Sequence, residues 1–161
     1  KFRAYNAATA RVAELAGMVP IQIEASELKQ ALATGVVEAF ISSGSTGVDE
    51  KVWEDLTNFY DTKGWLPRNS IFVNSDAFNA LPAASQDCLT SKAAEAEARG
   101  SAKAEELAGG FLKTLGDNGL KVSEPGEQLA ADLAAIGVTM TDEWLANAGD
   151  AGKAIVEAYR K

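Results

Sequence analysis

Over residues 2–41 the hydrophobic pattern switches repeatedly between the two-residue period of a strand and the 3.6-residue period of a helix, and few folds accept that order. Phe2-Arg3-Ala4-Tyr5-Asn6 reads as a strand. Residues 9–17 read as a helix, with Val12, Leu15 and Ala16 spaced to face a core and Gly17 placed to end it. Ile21-Gln22-Ile23 alternates as a short strand. Ser26 is placed to cap a second helix over 27–34, whose Leu28, Ala31 and Leu32 share one face before Gly35 supplies the stop. A strand over 36–41 follows at once. Strands separated by helices need crossover connections, so the expected fold class is α/β with a largely parallel sheet.

The remainder is more helical. Ser42-Ser43-Gly44-Ser45-Thr46-Gly47 reads as a small-residue loop, and Trp53, Leu56, Phe59 and Tyr60 form a dense apolar cluster after it. Ser70-Ile71-Phe72-Val73-Asn74 has the composition of a buried strand, Ser75 is placed to cap a short helix through Phe78, and Pro82 stands where a new helix begins. One long alanine- and glutamate-rich helix is expected over 83–115, with Leu107, Phe111, Leu112 and Leu115 as its apolar stripe, its charged face toward water, and Gly100, Gly109 and Gly110 as points of bending. Leu120-Lys121-Val122 suits a last strand. Helices are expected over 127–135, from a Thr141 cap through Trp144 and Leu145, and over 151–160. Neither an internal repeat nor a flexible linker is evident.

Composition removes several kinds of chemistry. The 161 residues include no histidine, which excludes Ser-His-Asp and Cys-His nucleophiles, histidine-bound zinc and an imidazole base. With 23 acidic against 15 basic side chains the net charge is -8, the wrong sign for a nucleic-acid partner or an anionic membrane surface. The single Cys88 has no internal disulfide partner. No apolar stretch approaches the roughly 20 residues of a bilayer span, so no direct membrane insertion is expected. The serine-rich loop lacks both the Gly-x-Ser-x-Gly elbow and the Gly-x-x-x-x-Gly-Lys phosphate loop, which makes a catalytic serine a poor expectation. Two alternatives stay open on residues alone. One is a histidine-free enzyme using Glu24 and Glu38 as acid and base on a small acid, and the other is a helical interaction module without a ligand.

Five elements in order carry a resemblance: Lys1-Phe2-Arg3-Ala4-Tyr5-Asn6, then Glu27-Leu28-x-x-Ala31-Leu32-x-x-Gly35-x-Val37-Glu38, then Ile71-Phe72-Val73-Asn74, Leu81-Pro82 and the long helix after it. Together they resemble the C-terminal half of a TRAP transporter solute receptor of the DctP type. The resemblance implies a periplasmic-binding-protein type II-like fold, of which this chain would be the second lobe with hinge strands and the long scaffold helix. Residues 1–66 would form most of the ligand lobe, 67–119 a crossover strand and the long helix, and 120–161 the C-terminal helices. A strand beginning at the first residue suits the middle of a fold, so the first lobe, with an export signal in the precursor, is expected upstream. The implied protein is periplasmic and not an enzyme. It needs no cofactor, takes a small organic carboxylate and delivers it to the membrane components of a TRAP transporter.

The same resemblance assigns site residues. Arg3 matches the arginine that grips the ligand carboxylate, a task that suits the rigid donor fork of a guanidinium; the ordinary alternative is a strand-end arginine paired to a surface acid. Asn6 matches an asparagine near the ligand, or else caps the following helix. Glu38 and Ala39 depart mildly from the family's aspartate and glycine. Ser42 falls on a ligand-touching position, and with Ser43, Ser45 and Thr46 it offers hydroxyls as a pocket floor, or else builds a plain turn. Ile41 stands where calcium-salt binders carry a glutamate, so no metal is expected. Phe40, Trp53, Tyr60 and Trp65 are core aromatics or a wall for an aromatic or branched acid. Trp65, between Gly64 and Pro67 at the expected crossing between lobes, is the strongest candidate for that wall.

Overall fold

A computed structural model describes residues 1–66 and 69–160. Three parallel strands form the first layer in the order β2-β1-β3: β1 (Phe2–Ala4) in the middle, β2 (Pro20–Gln22) on one side and β3 (Ala39–Phe40) on the other. Register places Arg3 opposite both Ile21 and Phe40, so these three side chains share one face. Phe2 and Ala4 point the other way, toward α1 (Ala7–Leu15), where Val12 and Ala13 are buried with them. Helix α2 (Leu28–Ala33) covers the Arg3 face through Leu28, Ala31 and Leu32, which belong to a core cluster with Val37, Val52, Leu115 and Leu120. Ile21, Ile23 and Phe40 pack onto that cluster. The parallel α/β expectation therefore holds at the sheet that carries the site.

Several local expectations are corrected. Ser26 does not cap: residues Ala25–Glu27 form a 3-10 turn that runs directly into α2. The strand expected over 36–41 shrinks to Ala39–Phe40, because the backbone leaves Gly35 in a left-handed conformation (φ +68°) and re-enters the sheet only at Ala39. The expected loop at 42–47 is largely α3 (Gly44–Asp49), whose N-cap is Ser43. Residues 58–60, expected as part of an aromatic cluster, form β4 (Asn58–Tyr60), which pairs in parallel with β5 (Lys121–Ser123). Asn74, rather than Ser75, caps α4 (Ser75–Asn79), its Oδ1 accepting from Ala77 N at 3.0 Å. Residues 70–74 are not a strand; Ile71 is 104% and Phe72 87% exposed, so nothing among the described residues covers the apolar run.

The long helix α5 (Ala83–Asp117) passes through Gly100, Gly109 and Gly110 without interruption. Its last turns are anchored where α3 lies against it. A Cβ on Gly44 would stand 3.3 Å from Phe111 Cβ, and one on Gly47 would stand 3.2 Å from Leu115 Cδ2. The small residues of 44–47 thus make room for α5. In place of three helices, α6 (Glu127–Tyr159) runs as one length broken at Gly149, whose backbone (φ 62°, ψ -162°) is not helical. Thr141 donates back to Gly137 O (2.7 Å) inside this helix and caps nothing. A two-point ion pair from Arg11 to Glu143 (3.1 and 2.6 Å) ties α6 to α1.

The anchor predicts an asymmetric response along α5. Leu115→Ala, at a fully buried position, is expected to lower unfolding free energy in urea by about 2–5 kcal/mol. Leu107→Ala, two turns earlier and 39% exposed, should cost under about 1 kcal/mol. Equal losses would show that the helix is not held at its C-terminal end.

Candidate functional site

Arg3 lies in the middle strand and is 3% exposed. Burying a guanidinium is costly unless its donors are met. One donor is: Nε donates to Ile23 O at 2.9 Å. The Tyr5 ring stands 4.9 Å from Cζ and covers a face of the group. Among the described residues, Nη1 and Nη2 donate to no protein acceptor, no carboxylate lies within ion-pair distance of Arg3, and no buried side-chain donor is sealed off without a partner. The free end of the fork therefore still reaches open space. Burial holds the guanidinium below the ordinary arginine range, while Tyr5 and the more distant Glu24 act in the opposite direction. The surface-ion-pair alternative for Arg3 does not describe this side chain.

Asn6 caps α1. Its Oδ1 accepts from Thr9 N (2.8 Å) and from Thr9 Oγ1 (3.0 Å), and Thr9 Oγ1 in turn accepts from Asn6 N (3.2 Å), a reciprocal capping box. Its Nδ2 donates to no described acceptor. Ser42 donates to Thr46 Oγ1 at 3.0 Å, and Ser43 Oγ lies 2.8 Å from Ser45 Oγ while capping α3 through Thr46 N. These hydroxyls largely satisfy one another at the start of a helix.

A cleft of about 430 Å³ lies beside this region. It is bounded on one side by the run from Glu38 to Ser43 and on the other by Thr57, Asn58, Phe59 and Tyr60, with Leu129 and Leu133 of α6 contributing to its wall. The structure thus brings Phe40, Ser42 and Ser43 together, with Ile41 between them. Arg3, Asn6 and Trp65 are not among the lining residues, although Arg3 stands one strand away from Phe40. Trp65 is half-buried beyond β4, and Pro67, on which its lobe-crossing assignment depended, lies outside the described residues. Trp53 packs on the core as the commoner fate of aromatics suggests. Sequence reading missed Tyr5 and the Ile23 carbonyl; the spacing of Arg3 and Tyr5 on an extended run, which puts them on one side, was the available signal.

Residues 1–146 match the family described as bacterial extracellular solute-binding protein, family 7, or DctP. The chain belongs to the DctP family. DctP-family structures similar to it include a marine-metagenome TRAP solute-binding protein from an unidentified microbe, specific for pyroglutamate and crystallised with co-purified pyroglutamate; identity is 48% and the TM-score 0.94 over 99% of this chain and 53% of that one. DctP6 of Bordetella pertussis, an extracytoplasmic solute receptor binding pyroglutamic acid, is 43% identical with a TM-score of 0.95 over the same shares, 99% and 53%. DctP7 of the same organism, also binding pyroglutamic acid, is 36% identical with a TM-score of 0.89, again over 99% and 53%. No curated protein matches the sequence. The chain spans about half the length of these DctP relatives, which are extracytoplasmic solute receptors and not enzymes. The acid-base pair Glu24 and Glu38 therefore has no support as catalytic machinery.

The two readings of Asn6 separate cleanly by substitution. Asn6→Ala should lower stability by about 0.5–2 kcal/mol through loss of the cap. Asn6→Asp keeps the capping oxygen and removes the Nδ2 donor, so thermal unfolding should stay near that of the parent. A matching fall in both variants would show that the cap is not what Asn6 supplies.

Proposed function

We propose that this chain is the carboxylate-gripping lobe of a periplasmic TRAP-type solute receptor whose ligand is pyroglutamate or a closely similar small cyclic acid. The observation that carries the reading is Arg3: a buried guanidinium with, among the described residues, one neutral hydrogen bond, no ion-pair partner and two terminal nitrogens unspent. A ligand carboxylate meeting those two nitrogens supplies the missing counter-charge in the geometry a guanidinium is shaped for. The three similar receptors that bind pyroglutamate favour a non-aromatic lactam over the aromatic acid that the aromatic side chains suggested. Its ring amide needs one acceptor and one donor. Asn6 Nδ2 and the hydroxyls of Ser42 and Ser43 are the polar groups proposed to meet it, with Phe40 and Trp65 as apolar surface. Ile41 brings no oxygen ligand, so the site is expected to work without a metal.

The first lobe closes the other side of the pocket, and the closed receptor hands its ligand to the membrane components of the transporter, hinge closure being the usual response of such receptors. Three features support a missing lobe: the half-length match to relatives, the uncovered Ile71, Phe72 and Val73, and the cleft between β3 and β4. β3 pairs only with β1 and β4 only with β5 among the described residues, so each leaves an unpaired edge at that cleft. A largely apolar slot lined by two strands with unpaired edges suits the addition of another strand.

Two measurements on the complete receptor test these statements. In calorimetric titration with pyroglutamate, Arg3→Ala should lose about 3–5 kcal/mol, or about 10²–10⁴-fold in affinity, and Arg3→Lys should recover little of it. Binding by Arg3→Ala at parental strength would overturn the assignment. In hydrogen exchange, the amides of 71–73 and of β3 and β4 should be protected in the complete receptor and fast in the isolated half. Equal exchange in both would remove the case for a covering lobe.

A further inference from the structure

The contacts around Arg3 assign a role to Tyr5, and this rests on the reading that Arg3 grips the ligand. A guanidinium has two faces and three donor-bearing corners. At Arg3 one corner is pinned by Ile23 O (2.9 Å) and one face is covered by the Tyr5 ring (4.9 Å to the centroid). We infer that Tyr5 is a positioning residue for carboxylate capture: it holds the guanidinium plane so that Nη1 and Nη2 face the ligand, without touching the ligand itself.

Physical chemistry gives the ring two effects on the same group. The negative face of the aromatic ring stabilises a cation that burial disfavours, at a site where, among the described residues, no carboxylate lies within ion-pair distance. It also blocks one direction in which the side chain, held at Nε alone, would swing. Tyr5 is itself fixed from behind. Its N–H donates to Thr9 Oγ1 at 3.0 Å, and Thr9 is fully buried at the start of α1. Thr9 of the Asn6 capping box therefore fixes the Tyr5 backbone as well as the helix start, and links the first turn of α1 to the ligand fork through Tyr5 and Arg3.

The test uses the complete receptor, pyroglutamate titration calorimetry and thermal melting of the ligand-free protein. Tyr5→Phe keeps the ring face and should bind within about 3-fold of the parent. Tyr5→Leu should bind about 5–30-fold more weakly, the range expected for a desolvated cation–π contact, with its ligand-free melting temperature nearly unchanged. Tyr5→Met takes its place should Tyr5→Leu fail to fold. The same change made on top of Arg3→Gln, which removes the cation, should alter the remaining affinity by under about 2-fold. Parental affinity in Tyr5→Leu, or an equal loss in both backgrounds, would overturn the positioning role; so would a loss in Tyr5→Phe as large as in Tyr5→Leu, which would mean that the hydroxyl meets the ligand. Parental affinity in Arg3→Gln alone would instead overturn the broader reading of Arg3.

Discussion

A guanidinium in the central strand of a parallel sheet sets the terms for everything around it. Water cannot solvate Arg3 freely, and the chain gives it one backbone carbonyl and one aromatic face in return. Neither neutralises the charge. A group left in that state weighs against stability in the empty protein, and under the proposed function the same deficit would favour an anionic ligand. The parallel sheet is what permits the arrangement. Because β1 is flanked on both sides, its backbone is fixed by β2 and β3, and the side chain projects from a rigid element instead of a loop.

Around that strand the small residues serve close packing more than ligand space. Gly44 and Gly47 let α3 meet α5 at contact distances that a side chain would not allow, and Ser42, Ser43, Ser45 and Thr46 bond mostly to each other at the head of α3. The effect on the site is indirect. Seating α3 on the end of α5 buries Leu115 against Val52 and Gly47, and that cluster supports Phe40 and Ile21, the two register partners of Arg3. The long helix thus steadies the register partners of Arg3 from outside the sheet.

Legibility of the sequence followed how local the determining forces were. The βαβαβ alternation of 2–41, the end of α2 at a positive-φ Gly35 and the span of α5 all depend on residues a few positions apart, and all three were readable. Strand β4 was not, because Asn58, Phe59 and Tyr60 become a strand only by pairing with residues 121–123, more than sixty positions away. The run at 71–73 failed in the opposite sense: its composition calls for a buried strand, and no described residue buries it. At the site, Arg3 stood out as a candidate by residue type and resemblance, whereas the Tyr5 contact and the Ile23 carbonyl required knowing which way an extended run leaves the sheet. Asn6 was legible as two alternatives, and the structure fills one of them with its Oδ1 while leaving the other to its Nδ2.

The distribution of apolar exposure bears on the proposal that a second lobe covers this one. The Arg3 side of β1 is closed by α2 and the core cluster, yet the described surface still carries uncovered Ile71, Phe72 and Val73 and a cleft between two unpaired strand edges. Grip and cover are therefore separable. A rigid sheet can hold an unpaired cation in place on its own, because strand hydrogen bonds and core packing do not depend on the ligand. Excluding water from the resulting ion pair needs surface from elsewhere, and a charge-assisted pair gains most of its strength from that exclusion. In a receptor of the proposed kind, a grip that strengthens only when a second surface closes over it would release its ligand when that surface moves away.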